Sequence, residues 1–159
     1  MKKLIRLSVA AVILLVAFAS CEKSNEWTNF NGYSKADIVG NYSYSQNDDA
    51  FEFLVEGKYC HICKDATIEI TEKEDEVIRV ALHCPENNFN PSFEGLVDTQ
   101  SDSYLLEFVN NNLFFTSSVQ RNEEGDILLH GHVRKRIQEV IDEVVVESYV
   151  NYYFDVIKN

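Results

Sequence analysis

The chain of 159 residues has only six glycines and two prolines. With so little glycine there is little material for a phosphate-cradling loop. No glycine-rich phosphate loop, Gly-x-Ser-x-Gly elbow or His-Glu-x-x-His pair occurs along it. No catalytic signature is therefore present, and the chain reads as a non-enzyme that needs no cofactor. Positive charge is scarce as well. Fourteen Lys and Arg face 26 Asp and Glu, a formal charge of −12. Such a surface repels phosphate backbones, which argues against nucleic acid as a partner. The acidic clusters at Asp48-Asp49, Glu72 to Glu76 and Glu123 to Asp126 lack the alternating oxygen-ligand spacing of a calcium loop and read as hairpin tips. There is no internal repeat and no low-complexity tract, so one domain is expected.

The basic residues are unevenly placed. Lys2, Lys3 and Arg6 precede an apolar run from Leu7 to Ala19, broken only by Ser8. A bilayer span needs about 20 apolar residues, so this run matches the h-region of a secretory signal instead. The junction Phe18-Ala19-Ser20-Cys21 resembles a lipobox, with Phe18 where Leu is usual. Residues 1–20 are thus expected to be a lipoprotein signal peptide, and Cys21 an acylated N-terminus bearing palmitate-type chains. Each buried methylene contributes about 0.8 kcal/mol, so two or three chains hold a protein on a bilayer. The expected place is the bacterial cell envelope, lipid-anchored to the outer membrane on its periplasmic or surface face. The bilayer is then the partner of Cys21. Removing the signal leaves 14 − 3 = 11 basic residues against 26 acidic ones, a charge of −15. Residues 21–35 are polar without a period and read as a lipidated tether, with Trp27 and Phe30 capping the domain that follows.

From residue 36 to 159 the pattern has period two and is rich in Val, Ile, Tyr, Phe and Thr, as strands require. Strands are expected at Val39 to Ser45, Phe51 to Val55, Thr67 to Thr71, Ile78 to Leu82, Phe93 to Val97, Tyr104 to Val109 and Leu113 to Val119. Two long ones follow, Ile127 to Ile137 and Val144 to Ile157. Ile137, Val140, Ile141, Val144 and Val145 also fit a helical stripe, but the Val, Tyr and Phe run behind them favours a hairpin turning near Ile141-Asp142. The fold class is all-β: a single antiparallel up-and-down barrel of about eight strands, since closing the sheet removes exposed edges.

Cys60, Cys63 and Cys84 remain once Cys21 is lipidated, in Cys60-His61-Ile62-Cys63 and Leu82-His83-Cys84. Three chemistries fit: a disulfide involving Cys84, a zinc site adding His61 or His83, and a redox pair of Cys60 and Cys63. The second zinc knuckle has the wrong spacing. The redox pair needs its first thiol at a helix N-terminus, where the surroundings read as strand and turn. Hairpin register favours Cys63–Cys84. Ile68, Ile70, Ile78, Val80 and Leu82 share one face if paired positions sum to an even number, such as Ile70 opposite Ile78. A bulge at Lys64-Asp65 then swings Cys63 onto the face of Cys84. Cys60 has the right parity without a bulge but lies too far along the strand, and is expected free. His130 and His132 share a strand face with Arg134 and Arg136, which reads as a solvated face rather than a metal chelate. Tyr149, Tyr152, Tyr153 and Phe154 divide between the two faces of the last strand as packing or as a carbohydrate platform.

Asp37-Ile38-Val39-Gly40-Asn41-Tyr42-Ser43-Tyr44, shortly after an acylated cysteine, resembles the opening strand of the calycin or lipocalin-like lipoproteins of Bacteroidetes. The hairpin Ala66 to Thr71 with Val77 to Val80 resembles their next element. Gly40-Asn41-Tyr42 stands where that family has Gly-x-Trp, and Lys158 is the candidate for the basic residue that covers the aromatic. The resemblance implies a small up-and-down barrel and, by analogy, a small apolar ligand inside it. The residues themselves equally fit an interaction module of the envelope without a cavity.

The anchor is testable directly. Cys21→Ala should leave the protein unacylated and release it from membrane fractions in detergent phase partition. A lipid-modified species still entering the detergent phase would place the anchor elsewhere.

Overall fold

A computed structural model describes residues 26–44, 60–74, 76–97 and 103–159. The signal peptide, Cys21 and the expected strand at Phe51 to Val55 lie outside the described residues. The fold is all-β. Its strands are β1 (Thr28–Asn29), β2 (Gly40–Tyr44), β3 (Cys60–Ile62), β4 (Thr67–Glu72), β5 (Val77–His83) and β6 (Ser92–Leu96). They continue as β7 (Leu105–Asn110), β8 (Leu113–Arg121), β9 (Ile127–Ile141) and β10 (Val144–Lys158). They form one sheet in the order β1-β8-β9-β10-β2-β4-β5-β6, with β7 also on β8 and β3 on β10. Every pair is antiparallel except β3 with β10.

The packed domain begins earlier than the polarity of residues 21–35 suggests. β1 pairs with the end of β8, and Phe30 and Tyr33 pack against the core. Arg121 lies 5.0 Å over the Phe30 ring, and the Tyr33 hydroxyl donates to the Leu105 carbonyl at 2.8 Å. A helical turn, α1 (Lys35–Ile38), follows. Ser34 and Asp37 form a capping box: the Asp37 amide donates to the Ser34 hydroxyl, and the Asp37 carboxylate accepts from the Ser34 amide at 2.7 Å. The Ser34 hydroxyl, which donates to the same carboxylate at 2.6 Å, and then the Ser34 amide hold the Asp37 carboxyl below its ordinary pKa.

The β4–β5 hairpin keeps the expected parity but not the expected register. Ile70 lies opposite Val80 and Ile68 opposite Leu82, so paired positions sum to 150 rather than 148. A slip of two leaves every side chain on its face, so the hydrophobic pattern cannot tell the registers apart. The turn decides. Lys73 donates its amide to the Val77 carbonyl at 2.8 Å, and Glu76 takes a left-handed φ of 63°. The C-terminal hairpin forms as strand, not helix, and turns at Asp142-Glu143, both with positive φ.

The two faces of the sheet differ sharply. The inner face buries Tyr42, Ile68, Ile70, Ile78, Val80, Leu82, Phe93, Phe115, Leu129, Phe154 and Val156 at 2% exposure or less. Phe115 is the hub: its ring centre lies 5.5 Å from those of Phe93 and Phe154 and 6.1 Å from that of Phe108. The rings come from β6, β7, β8 and β10, so one cluster ties distant parts of the sheet together. The sheet itself is not closed. No ladder joins β6 to β7 among the described residues. Side chains cross the seam instead: Asn110 Nδ2 donates to the Ser92 carbonyl at 2.8 Å, and the Phe108 ring lies so close over Gly95 that a Cβ there would sit 2.4 Å from it.

Cys63 and Cys84 are joined, with their sulfurs 2.11 Å and their Cα atoms 5.3 Å apart. The route differs from the bulge expected within a strand. Lys64 and Asp65 form a turn, closed by the Ala66 amide on the Cys63 carbonyl at 3.3 Å, between β3 on β10 and β4 on β5. The bond spans 21 residues. Its loss through Cys63→Ser with Cys84→Ser should cost roughly 3 kcal/mol in urea unfolding, as closure of a loop of that size implies. A cost below about 1 kcal/mol would mean the turn alone holds β3.

Candidate functional site

Three places concentrate polar or reactive side chains. The first is the end of the sheet where β10 meets β2. Lys158 pairs with Tyr42, and its side chain reaches across Gly40: a Cβ at Gly40 would sit 2.8 Å from Lys158 Cε. Gly40 has a φ of +150°, which only glycine adopts without strain. The ammonium then donates to the Asp37 carbonyl at 2.6 Å, a backbone oxygen at the end of α1. Tyr42 is buried and donates its hydroxyl to the Ile38 carbonyl at 2.6 Å. Burial, and then the Asp37 carboxylate, push its pKa well up, so the phenol stays protonated. The pair closes this end of the core. Its groups are spent on structure.

The second place is the outer face of β9 and β10. Odd-numbered β10 residues and even-numbered β9 residues point there, which brings His130, His132, Tyr153 and Asp155 together. The His132 ring stands 5.4 Å from that of Tyr153. Burial, then Arg134 and His130, lowers the His132 pKa, so His132 favours the neutral form. Burial and the neighbouring Cys60 thiol raise that of Tyr153. Asp155 is fully buried, and neither carboxylate oxygen has a hydrogen-bond partner among the described residues; His130 Nδ1 is 3.8 Å from Oδ1. A buried carboxyl without hydrogen bonds is costly, and His130 is the basic side chain that stands beside it. The Ser118 hydroxyl donates to the His130 carbonyl at 3.1 Å and accepts from Gln120, so it faces backbone rather than imidazole.

The third is a groove of about 530 Å³ on the outer face of β2, β4, β5 and β6. Asn41, Glu69, Ala81 and Ser92 form one cross-strand row, and Thr67 and His83 the next. The small Ala81 makes the floor. Arg79, Asn90 and Asn159 complete a rim of amides, hydroxyls and both charge signs. Such a rim offers hydrogen-bond donors and acceptors above an apolar floor.

The remaining sequence candidates are dispersed. Cys60 is a free, half-buried thiol, with Asn151 Nδ2 3.8 Å from its sulfur. His61 stacks on Tyr152, which stacks on Phe89 against the core, while His83 hydrogen-bonds Asn90. The zinc set is therefore split, and no group of three metal-ligating side chains occurs among the described residues. The aromatic residues of β10 serve packing: Phe154 in the core, Tyr152 beside it, Tyr149 under Arg134 at 5.6 Å. Asp155 is marked by no motif. Its one signal is a lone charge within the apolar stretch Tyr152 to Ile157. Ala81 and Asn90 matter only once strands are adjacent, so no local pattern announces them.

No family model matches the chain, and neither a curated protein nor a solved structure is similar to it.

Proposed function

We propose that the protein is an envelope lipoprotein, held to the membrane through acylated Cys21, and that it works as an interaction module through its outer surface. Its domain is a lipocalin-like barrel in this reading. The return of β10 to β2, the reach of Lys158 across Gly40 opposite Tyr42, and the side-chain bridges from β6 to β7 all support it. The lipocalin analogy implies an apolar ligand inside. One observation favours the other reading: the space such a ligand would take is filled by Phe93, Phe108, Phe115 and Phe154. The groove above Ala81 is open and mixed in lining, and its rim of amides, hydroxyls and charged groups suits a hydrogen-bonding envelope component of the saccharide type.

Two measurements on the full chain test this. Titration with a fluorescent fatty acid should give no saturable binding. Retention on immobilised cell-wall saccharide should be lost in Ala81→Trp, which fills the groove floor and leaves the core untouched. Saturable binding of one fatty acid per chain, with retention indifferent to Ala81→Trp, would make the protein a carrier instead.

A further inference from the structure

The groove over Ala81 is lined by one acidic and one guanidinium side chain, Glu69 and Arg79. Strand register places both. Glu69 on β4 lies opposite Ala81 on β5, and Arg79 stands two residues before Ala81 on the same outer face. Diagonal neighbours of this kind have Cα atoms about 7–8 Å apart, within reach of long side chains. The two do not meet: neither makes an ion pair or a side-chain hydrogen bond among the described residues. Arg79 also lies directly opposite Glu94 on β6, and the Glu94 carboxylate stands 3.8 Å from the Lys73 ammonium instead. A guanidinium with two carboxylates in reach thus pairs with neither and lines the groove.

Charge decides which ligand suits this pair. The chain carries −12, which repels a purely anionic ligand before it reaches the groove. A purely cationic ligand meets Arg79 as a like charge. A neutral one covers both charges and pairs neither, so their lost hydration goes uncompensated. A ligand with an ammonium and a carboxylate answers both at once. The guanidinium grips the carboxylate through paired N–H donors, and the Glu69 carboxylate accepts from the ammonium. Asn41 and Ser92 share the cross-strand row of Glu69 and Ala81, and Thr67 stands in the next. Their amide and hydroxyls are placed for the hydroxyl groups of a sugar ring, which the small Ala81 lets approach the sheet.

We propose, resting on the saccharide reading of the groove, that it selects a zwitterionic saccharide: an amino sugar whose free ammonium is held by Glu69 and which also bears a carboxylate, held by Arg79. Both side chains are exposed and unpaired among the described residues, so replacing either leaves the core and the strand ladders as they are.

NMR titration of the full chain in detergent micelles with four monosaccharides tests it. Muramic acid carries ammonium and carboxylate, glucosamine the ammonium alone, N-acetylmuramic acid the carboxylate alone, and N-acetylglucosamine neither. Muramic acid should bind roughly tenfold tighter than each of the others, as one charge-assisted contact implies. Arg79→Gln should bring it level with glucosamine, and Glu69→Gln level with N-acetylmuramic acid. Ala81→Trp should abolish the binding of all four. Equal affinity for the four, still blocked by Ala81→Trp, would overturn the zwitterion and leave the groove a saccharide site. A preference for muramic acid that survives Arg79→Gln or Glu69→Gln would overturn the roles of the two side chains. Binding indifferent to Ala81→Trp, or no binding of any of the four, would overturn the saccharide reading and the zwitterion with it.

Discussion

The packing of Phe115 against Phe93, Phe108 and Phe154 is the constraint on which the rest of the sheet depends. One edge of the sheet is β6 and the other is β7 and β1, both on β8, and no ladder joins β6 to β7 among the described residues. What keeps them together is the Phe108 ring over Gly95, one side-chain hydrogen bond from Asn110, and the aromatic hub behind both. Aromatic side chains bury more apolar area than any others and add pairwise ring attraction, so a few of them can substitute for a strand ladder. Filling the interior this way also determines where chemistry can happen. A sheet packed from within offers its outer faces, and those carry the groove and the His130–Asp155 pair.

The opposite end is held by different means. Lys158 crosses Gly40 to reach the Asp37 carbonyl, Tyr42 reaches the Ile38 carbonyl, and Lys35 pairs with Glu72 at 2.7 Å. α1, β2 and β10 are thereby tied at one point. The Cys63–Cys84 bond does the same for β3, whose three residues could not hold their place on β10 by backbone bonds alone. Short elements are thus fixed by side chains, and long ones by ladders.

Strands, turns and the inner face are legible in the sequence because burial on one side imposes period two. The β4–β5 pair marks the limit of that signal. Parity of Ile68, Ile70, Ile78, Val80 and Leu82 follows from the pattern, whereas the register itself rests on the turn geometry at Lys73 and Glu76. Ser34 and Asp37 have the spacing of a capping box, but the one-turn helix they open begins at the very end of a stretch whose polarity reads as tether. The groove could not be read at all. Asn41, Glu69, Ala81 and Ser92 are scattered along the chain and meet only through strand order. The same is true of Asp155 and His130, whose pairing depends on the register of the C-terminal hairpin.

The filled interior is the claim from which the outward-facing function follows, and Phe115→Ala examines it most directly. Removing the hub of a packed aromatic cluster should lower stability in urea by about 3–5 kcal/mol, with unchanged secondary structure at low denaturant. A loss below about 1 kcal/mol would mean that Phe115 borders open space, and that the interior has room for a ligand after all.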